Sequence, residues 1–152
     1  MMNNLQAKYI YSSAIFIAHQ PAILNTILGS CVAVCLWDKK RGTGGMNHYM
    51  LPLWNGEGLA SPKYGNIANE LLVKKMIAQG SKMENLTVKF FGGAKMLDDH
   101  ARLFDIGQRN IELAFENYKG FGIEIAKGST GGSRGRKIFF NTLTGVVMQK
   151  FL

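Results

Sequence analysis

Short alternating or continuous apolar runs fill the first third of the chain, and helical spacing appears only after residue 60. Lys8 to Ala18 is rich in Tyr, Ile and Phe and reads as extended. Thr26 to Ser30 is a short approach ending in Gly29-Ser30, and Val32 to Asp38 is a strongly apolar strand. Lys39 to Thr43, polar and containing Gly42, is a turn. Gly44 to Leu51 is the returning strand, stopped by Pro52. Trp54 to Ala60 is a loop. Ser61-Pro62 supplies an N-cap and a proline at the first helical position. Ile67, Ala68, Leu71, Leu72 and Met76 follow at helical spacing until Gly80. Leu86 to Phe91 is a strand closed by Gly92-Gly93. A second helix runs from Asp105 or Gly107 to Tyr118, with Gly120 as its stop. Phe121 to Ala126 is extended and Gly128 to Gly135 is a basic Gly/Ser-rich loop. Arg136 to Thr142 and Gly145 to Phe151 form a hairpin around Leu143-Thr144. These elements predict one α/β domain over residues 1–152, a mixed, largely antiparallel sheet with two main helices.

The first hairpin carries a candidate chemistry. If Trp37 opposes Gly42, the numbers of opposed residues sum to 79 and the loop is Asp38 to Arg41, a common four-residue length. That register sets Cys31 directly opposite His48, on one face with Cβ atoms about 4.5–5.5 Å apart. A free thiol titrates near ~8.5, so a neighbouring imidazole must take its proton before it becomes a strong nucleophile at neutral pH. Gly29 allows close backbone approach and unusual dihedrals there. Backbone N–H groups around Ser30 and Cys31 are candidate donors to an oxyanion. The competing reading is plain core, since Val-Ala-Val-Cys-Leu-Trp is strongly apolar. Cys35, with no His opposite, is read as structural.

Composition narrows the setting. Two cysteines are too few for a disulfide framework. Four apart on one strand, they would stand about 13 Å from each other, too far to bridge. Reduced thiols suggest a cytoplasmic setting. No apolar run reaches the length of a membrane span, and Met1 to Ala7 does not read as a signal peptide. The net charge is +8, and from Lys119 to Leu152 six basic residues face one acid, Glu124. Such a surface favours an acidic partner, whether protein, lipid or nucleic acid. A nucleic-acid-binding domain is the weakest of these readings, because no DNA-binding motif or aromatic stacking pattern is present.

Other residues invite chemistry less strongly. Gly128 to Lys137 lacks the GxxxxGK[ST] order of a phosphate loop, leaving a solvated basic loop or one beside the site. Asp98, Asp99 and His100 are adjacent and do not suit a single metal ion, and Cys31/Cys35 lacks zinc spacing. His19 before Gln20-Pro21 reads as a turn residue. Trp54 is either half-buried core or an exposed anchor.

Six ordered words resemble the CheD family. They are Leu28 to Asp38 (LGSCVAVCLWD), Gly44 to Pro52 (GGMNHYMLP), Lys63 to Asn66, Phe91 to Ala94, Ile106 to Asn110 and Gly131 to Arg136. The resemblance implies a single sandwich-like α/β domain similar to toxin-type cysteine deamidases. It implies a Cys–His–Thr triad that hydrolyses chosen glutamine side chains on chemoreceptor helices to glutamate. Cys31 takes the place of the nucleophile and His48 that of the base. The family's Thr lies six before the Cys, where this chain has Asn25; Thr26 lies five before. Either can orient an imidazole through a side-chain oxygen. The resemblance further implies no metal or cofactor, and a CheC-type phosphatase as partner. The departure at Asn25 leaves a second reading, a non-catalytic module of this fold that binds such a phosphatase or a receptor.

Overall fold

The computed structural model describes residues 5–96 and 105–152. Among the described residues, ten strands and two main helices form three layers. The strands are β1 (Gln6–Tyr9), β2 (Ile15–Ile17), β3 (Ala22–Leu28), β4 (Val32–Asp38), β5 (Thr43–Tyr49), β6 (Leu86–Gly92), β7 (Glu124–Ile125), β8 (Ser129–Thr130), β9 (Arg136–Asn141) and β10 (Val147–Phe151). The helices are α1 (Gly65–Ala78) and α2 (Ile106–Phe121). One sheet has the order β1-β3-β9-β10; the other runs β2-β5-β4-β6-β7, with β8 also on β6. Within the sheets, β9–β10, β3–β9, β2–β5, β4–β5 and β4–β6 pair antiparallel, while β1–β3, β6–β7 and β6–β8 are parallel. The largely antiparallel sandwich with two helices is thus observed.

The apolar run of β4 follows from its central place, because both of its faces are covered. Val32, Val34 and Leu36 join Ala68, Leu72, Ile111 and Ala114 in a core under the helices. Ala33 and Cys35 face the other way and pack with Met46 and Phe91 against Leu24, Leu28, Ile138 and Phe140 of the four-stranded sheet. Period-two alternation therefore divides one strand between two cores.

Several boundaries differ from the sequence expectation. Lys8 to Ala18 is not one extended segment: β1 and β2 belong to different sheets, and the chain turns between them through Ser13, whose φ is +69°. Thr26 lies well inside β3, a seven-residue strand paired on both sides. Helix α1 begins at Gly65, not at Ser61-Pro62. The Gly65 N–H is held by the Leu51 carbonyl (2.7 Å), and Tyr64 bridges to Leu51, so the preceding residues form a turn against β5. Helix α2 runs through Gly120 and ends at Gly122, whose φ of +74° supplies the left-handed cap.

The β4–β5 register is the correction that matters most. Trp37 opposes Gly44 and Asp38 opposes Thr43, so the constant sum is 81, not 79, and Ala33 lies opposite His48. The cause is Asp38. It stays in the strand and accepts from the N–H groups of Lys40 and Arg41 (both 3.0 Å), closing the turn one residue later. A change of two in the sum keeps parity, so the residue now opposite His48, Ala33, is one that faces the four-stranded sheet.

Candidate active site

The site is built where β3, β4 and β5 meet between the sheets. His48, on β5, is 5 % exposed. Thr26 points inward from β3 and is fully buried. Its Oγ1 donates to the Ile10 carbonyl (2.6 Å) and lies 2.8 Å from His48 Nδ1. A hydroxyl has one hydrogen, and a carbonyl can only accept. That hydrogen goes to Ile10, so Nδ1–H must donate to Oγ1. The neutral imidazole is then the Nδ1–H tautomer, with a lone pair on Nε2 for a proton acceptor's role.

Asn25 is not placed with the imidazole. It is the next residue on β3, faces the other side of the sheet, and its Nδ2 donates to the Lys8 carbonyl (3.1 Å). The inward position belongs to Thr26 because Leu24, Thr26 and Leu28 alternate inward.

Cys31 precedes β4 by one residue and packs, half-buried, on the inter-sheet core. Val32–Tyr49 is the last pair of the ladder, so Cys31 lies just beyond it and packs on the same inter-sheet core as Ala33, the residue opposite His48. Neither cysteine forms a disulfide. Burial drives the Cys35 thiol far above its ordinary range, against a smaller opposing pull from Lys89, so Cys35 is an inert core residue.

Three successive carbonyls, those of residues 29 to 31, are tied down. Gly29 O accepts from Ala94 N (2.9 Å), Ser30 O from Asn110 Nδ2 (3.0 Å) and Cys31 O from Gly93 N (2.8 Å). The peptides among the described residues are all trans, so the Ser30 N–H points opposite to the Gly29 carbonyl, away from Ala94. The close approach expected at Gly29 is found elsewhere. A Cβ on Gly29 would meet only the Met96 side chain at ordinary contact, 3.7 Å. A Cβ on Gly92 would overlap the Cys31 carbonyl, and the φ of Gly92 is +103°. Gly92, Ile10 and Asn110 are site residues that sequence reasoning did not assign. The Gly92-Gly93 doublet was a visible signal. The Ile10 contribution is a backbone carbonyl and leaves no trace in residue type.

The basic Gly/Ser loop lies beside this segment. Gly131 N donates to Gly92 O (2.8 Å) and Lys95 N to Gly132 O (2.8 Å). Arg136 is not solvated: it is 1 % exposed, its guanidinium donates to Ser129 and Gly131, and the Phe151 ring covers it. An open cleft of about 350 Å³ lined by His19, Arg41 and Gln79 lies at the β4–β5 turn, the opposite end of the ladder from His48. Trp54 is half-buried in its loop, with Nε1 donating to Glu57 O (2.9 Å). Among the described residues no group of three His, Cys, Asp or Glu side chains could hold a metal ion, and no helix is long and apolar enough to cross a membrane. Asp98, Asp99 and His100 lie outside the described residues.

Burial lowers the His48 pKa to about 4, against a smaller opposing contribution from the Ile10 carbonyl. In the unfolded chain the same group titrates near ~6.5. Between these values the unfolded state binds more protons. The stability contributed by neutral His48 is therefore complete above about 6.5 and is lost as pH falls through about 4. Urea titrations across this window should show a loss on the order of 3 kcal/mol in wild type. His48→Gln should flatten that slope, and an unchanged slope would rule out His48 as its source.

The sequence model of the family described as "CheD chemotactic sensory transduction" matches residues 50–151. A Trichlorobacter lovleyi protein is 49 % identical over 140 residues, covering 92 % of this chain and 87 % of its own. A Sulfurimonas denitrificans protein is 46 % identical over 148 residues, covering 97 % and 95 %. An Acidiphilium cryptum protein is 43 % identical over 141 residues, covering 90 % and 73 %. Each carries the name "Probable chemoreceptor glutamine deamidase CheD". The match to the second relative takes in the β3, β4 and β5 segments as well as the C-terminal half. On these relationships, and with the sandwich already described, the chain belongs to the CheD family.

Proposed function

We propose that this chain hydrolyses glutamine side chains on chemoreceptor helices to glutamate, with Cys31 as nucleophile, His48 as base and Thr26 as the group that orients His48. The observation that carries the reading is the Ile10–Thr26–His48 relay. It leaves Nε2 unprotonated, and Cys31 packs on the core that holds Ala33, the residue opposite His48. The names of the relatives supply the substrate class.

The chemistry follows from those groups. His48 Nε2 takes the Cys31 proton, and the thiolate attacks the carboxamide carbon. The carbonyl π electrons move to oxygen, where the Ser30 N–H and its neighbours in the nucleophile segment donate to the oxyanion. His48 returns the proton to the amine as the C–N bond breaks, releasing ammonia and leaving a thioester. His48 next deprotonates water, whose oxygen adds to the thioester carbon. Collapse expels the Cys31 thiolate and frees glutamate. Atoms balance as amide plus water to acid plus ammonia, and no cofactor enters.

The setting we propose is cytoplasmic, supported by the two reduced thiols. A CheC-type phosphatase is the proposed protein partner, on the family resemblance alone. The test is incubation with a soluble receptor helical segment in ¹⁸O-water. Each modified glutamine should become a glutamate carrying one solvent oxygen and release one ammonia. Hydroxylamine should divert the thioester to a hydroxamate. A segment that keeps its mass and releases no ammonia would refute the deamidase reading and leave a binding module of this fold.

A further inference from the structure

The nucleophile and the base sit just where the β4–β5 ladder ends. Val32–Tyr49 is its last pair. Beyond it the Ser30 and Met50 carbonyls are joined through a third group, the side chain of Asn110 near the start of α2. Its Nδ2 donates to Ser30 O and to Met50 O, both at 3.0 Å. Asn110 is fully buried, and its Oδ1 has no partner among the described residues. The amide orientation is therefore set by the two carbonyls alone, since an oxygen turned toward them would be repelled. The residue is itself held: the Tyr49 hydroxyl donates to its backbone carbonyl (2.6 Å). Close packing also fixes the helix, because Gly107 lies against the Gly93 and Ala94 carbonyls with no room for a Cβ.

Ser30 adjoins Cys31, and Met50 is two residues past His48. One carboxamide thus spans the two segments that carry the reacting groups. We propose that Asn110 is a positioning residue, whose two donors hold the Cys31 segment against the His48 segment at the distance proton transfer needs. This rests on the reading that Cys31 and His48 perform the chemistry. A Leu of similar volume fills the space but supplies no donor, so the two carbonyls lose their bridge. A Ser keeps a single hydrogen and can serve only one of them.

The experiment compares wild type, Asn110→Leu, Asn110→Ser and Cys31→Ala. It measures kcat and KM on a receptor helical segment, and the pH dependence of Cys31 alkylation by iodoacetamide, located by mass spectrometry. In Asn110→Leu, kcat should fall by about 10²-fold with KM held within about twofold. The alkylation midpoint should rise toward about 8.5, the value of a thiol without its base. Asn110→Ser should fall between the two and carries the test if Asn110→Leu does not fold. A folded variant with wild-type kcat and an unshifted alkylation midpoint would overturn the proposal, whatever its thermal stability. If wild type itself fails to deamidate, the enzymatic reading falls separately, and the alkylation profile still decides whether Asn110 sets the environment of Cys31.

Discussion

Replacing Cys31 by Ala is expected to lower deamidation of a receptor helix by about 10⁴-fold or more, and His48→Ala should do the same. In the proposed mechanism the two groups act as one unit. Without sulfur there is no thioester; without imidazole the thiol stays protonated and the departing amine receives no proton. The double variant should therefore be no slower than either single one. Additive losses would mean that the two residues work in separate steps. Cys35→Ala is the internal control. Cys35 is 1 % exposed between the sheets, so its removal should weaken folding and leave turnover of the folded enzyme unchanged. A Cys35 variant as dead as Cys31→Ala would reassign the nucleophile.

The second large effect is expected at Thr26. Thr26→Val keeps the shape and removes the hydroxyl. The Ile10 carbonyl loses its donor and His48 Nδ1–H loses its acceptor, both in a buried place. Leaving such groups unpaired costs about 1–3 kcal/mol of stability. Turnover should suffer more, by about 10²–10³-fold, because the ring loses the hydroxyl acceptor that fixes the tautomer presenting a bare Nε2. Thr26→Ser, which keeps the hydroxyl, should restore most of the rate. Asn25→Ala should stay within about twofold of wild type, since that side chain faces the other side of β3. A Thr26→Val enzyme at full speed, or an Asn25→Ala enzyme as slow, would reverse the assignment of the orienting group.

In the mechanism we propose, the orienting role passes from Asn25 to Thr26, the next residue on β3, whose hydroxyl donates to the Ile10 carbonyl and lies 2.8 Å from His48 Nδ1. The role depends on which strand positions point inward, and β3 points 24, 26 and 28 inward. Counting back from the cysteine could not reveal this, because the path from Leu28 to Val32 includes the turn at Gly29-Ser30 and breaks the alternation.

Much of the fold was legible locally. The apolar run Val32–Asp38, the C-terminal hairpin and both helices were found within a few residues, because side-chain periodicity and turn residues are properties of neighbours in the chain. Ser61-Pro62 is a sound capping signal on its own, yet α1 begins at Gly65. The bond from Gly65 N–H to Leu51 overrides it. Similarly Gly120 looked like a stop, yet the helix continues to the left-handed Gly122. Propensity at single residues yields to contacts made by the rest of the domain.

For this chain, sequence alone determined that the strand following Cys31 and the strand carrying His48 pair as a hairpin. Period-two alternation keeps the parity of that pairing even when the register moves by two. It determined the α/β class and, through six ordered words, the family. Tertiary structure decided which pair faces which, because Asp38 closes the turn with its own carboxylate. It also decided that Thr26, from the other sheet, meets the imidazole, and that Asn110, from α2, ties the two active segments together. Those contacts join residues 22 to 80 positions apart. Their geometry is set by how sheets and helices pack, and no local pattern of residue types encodes it.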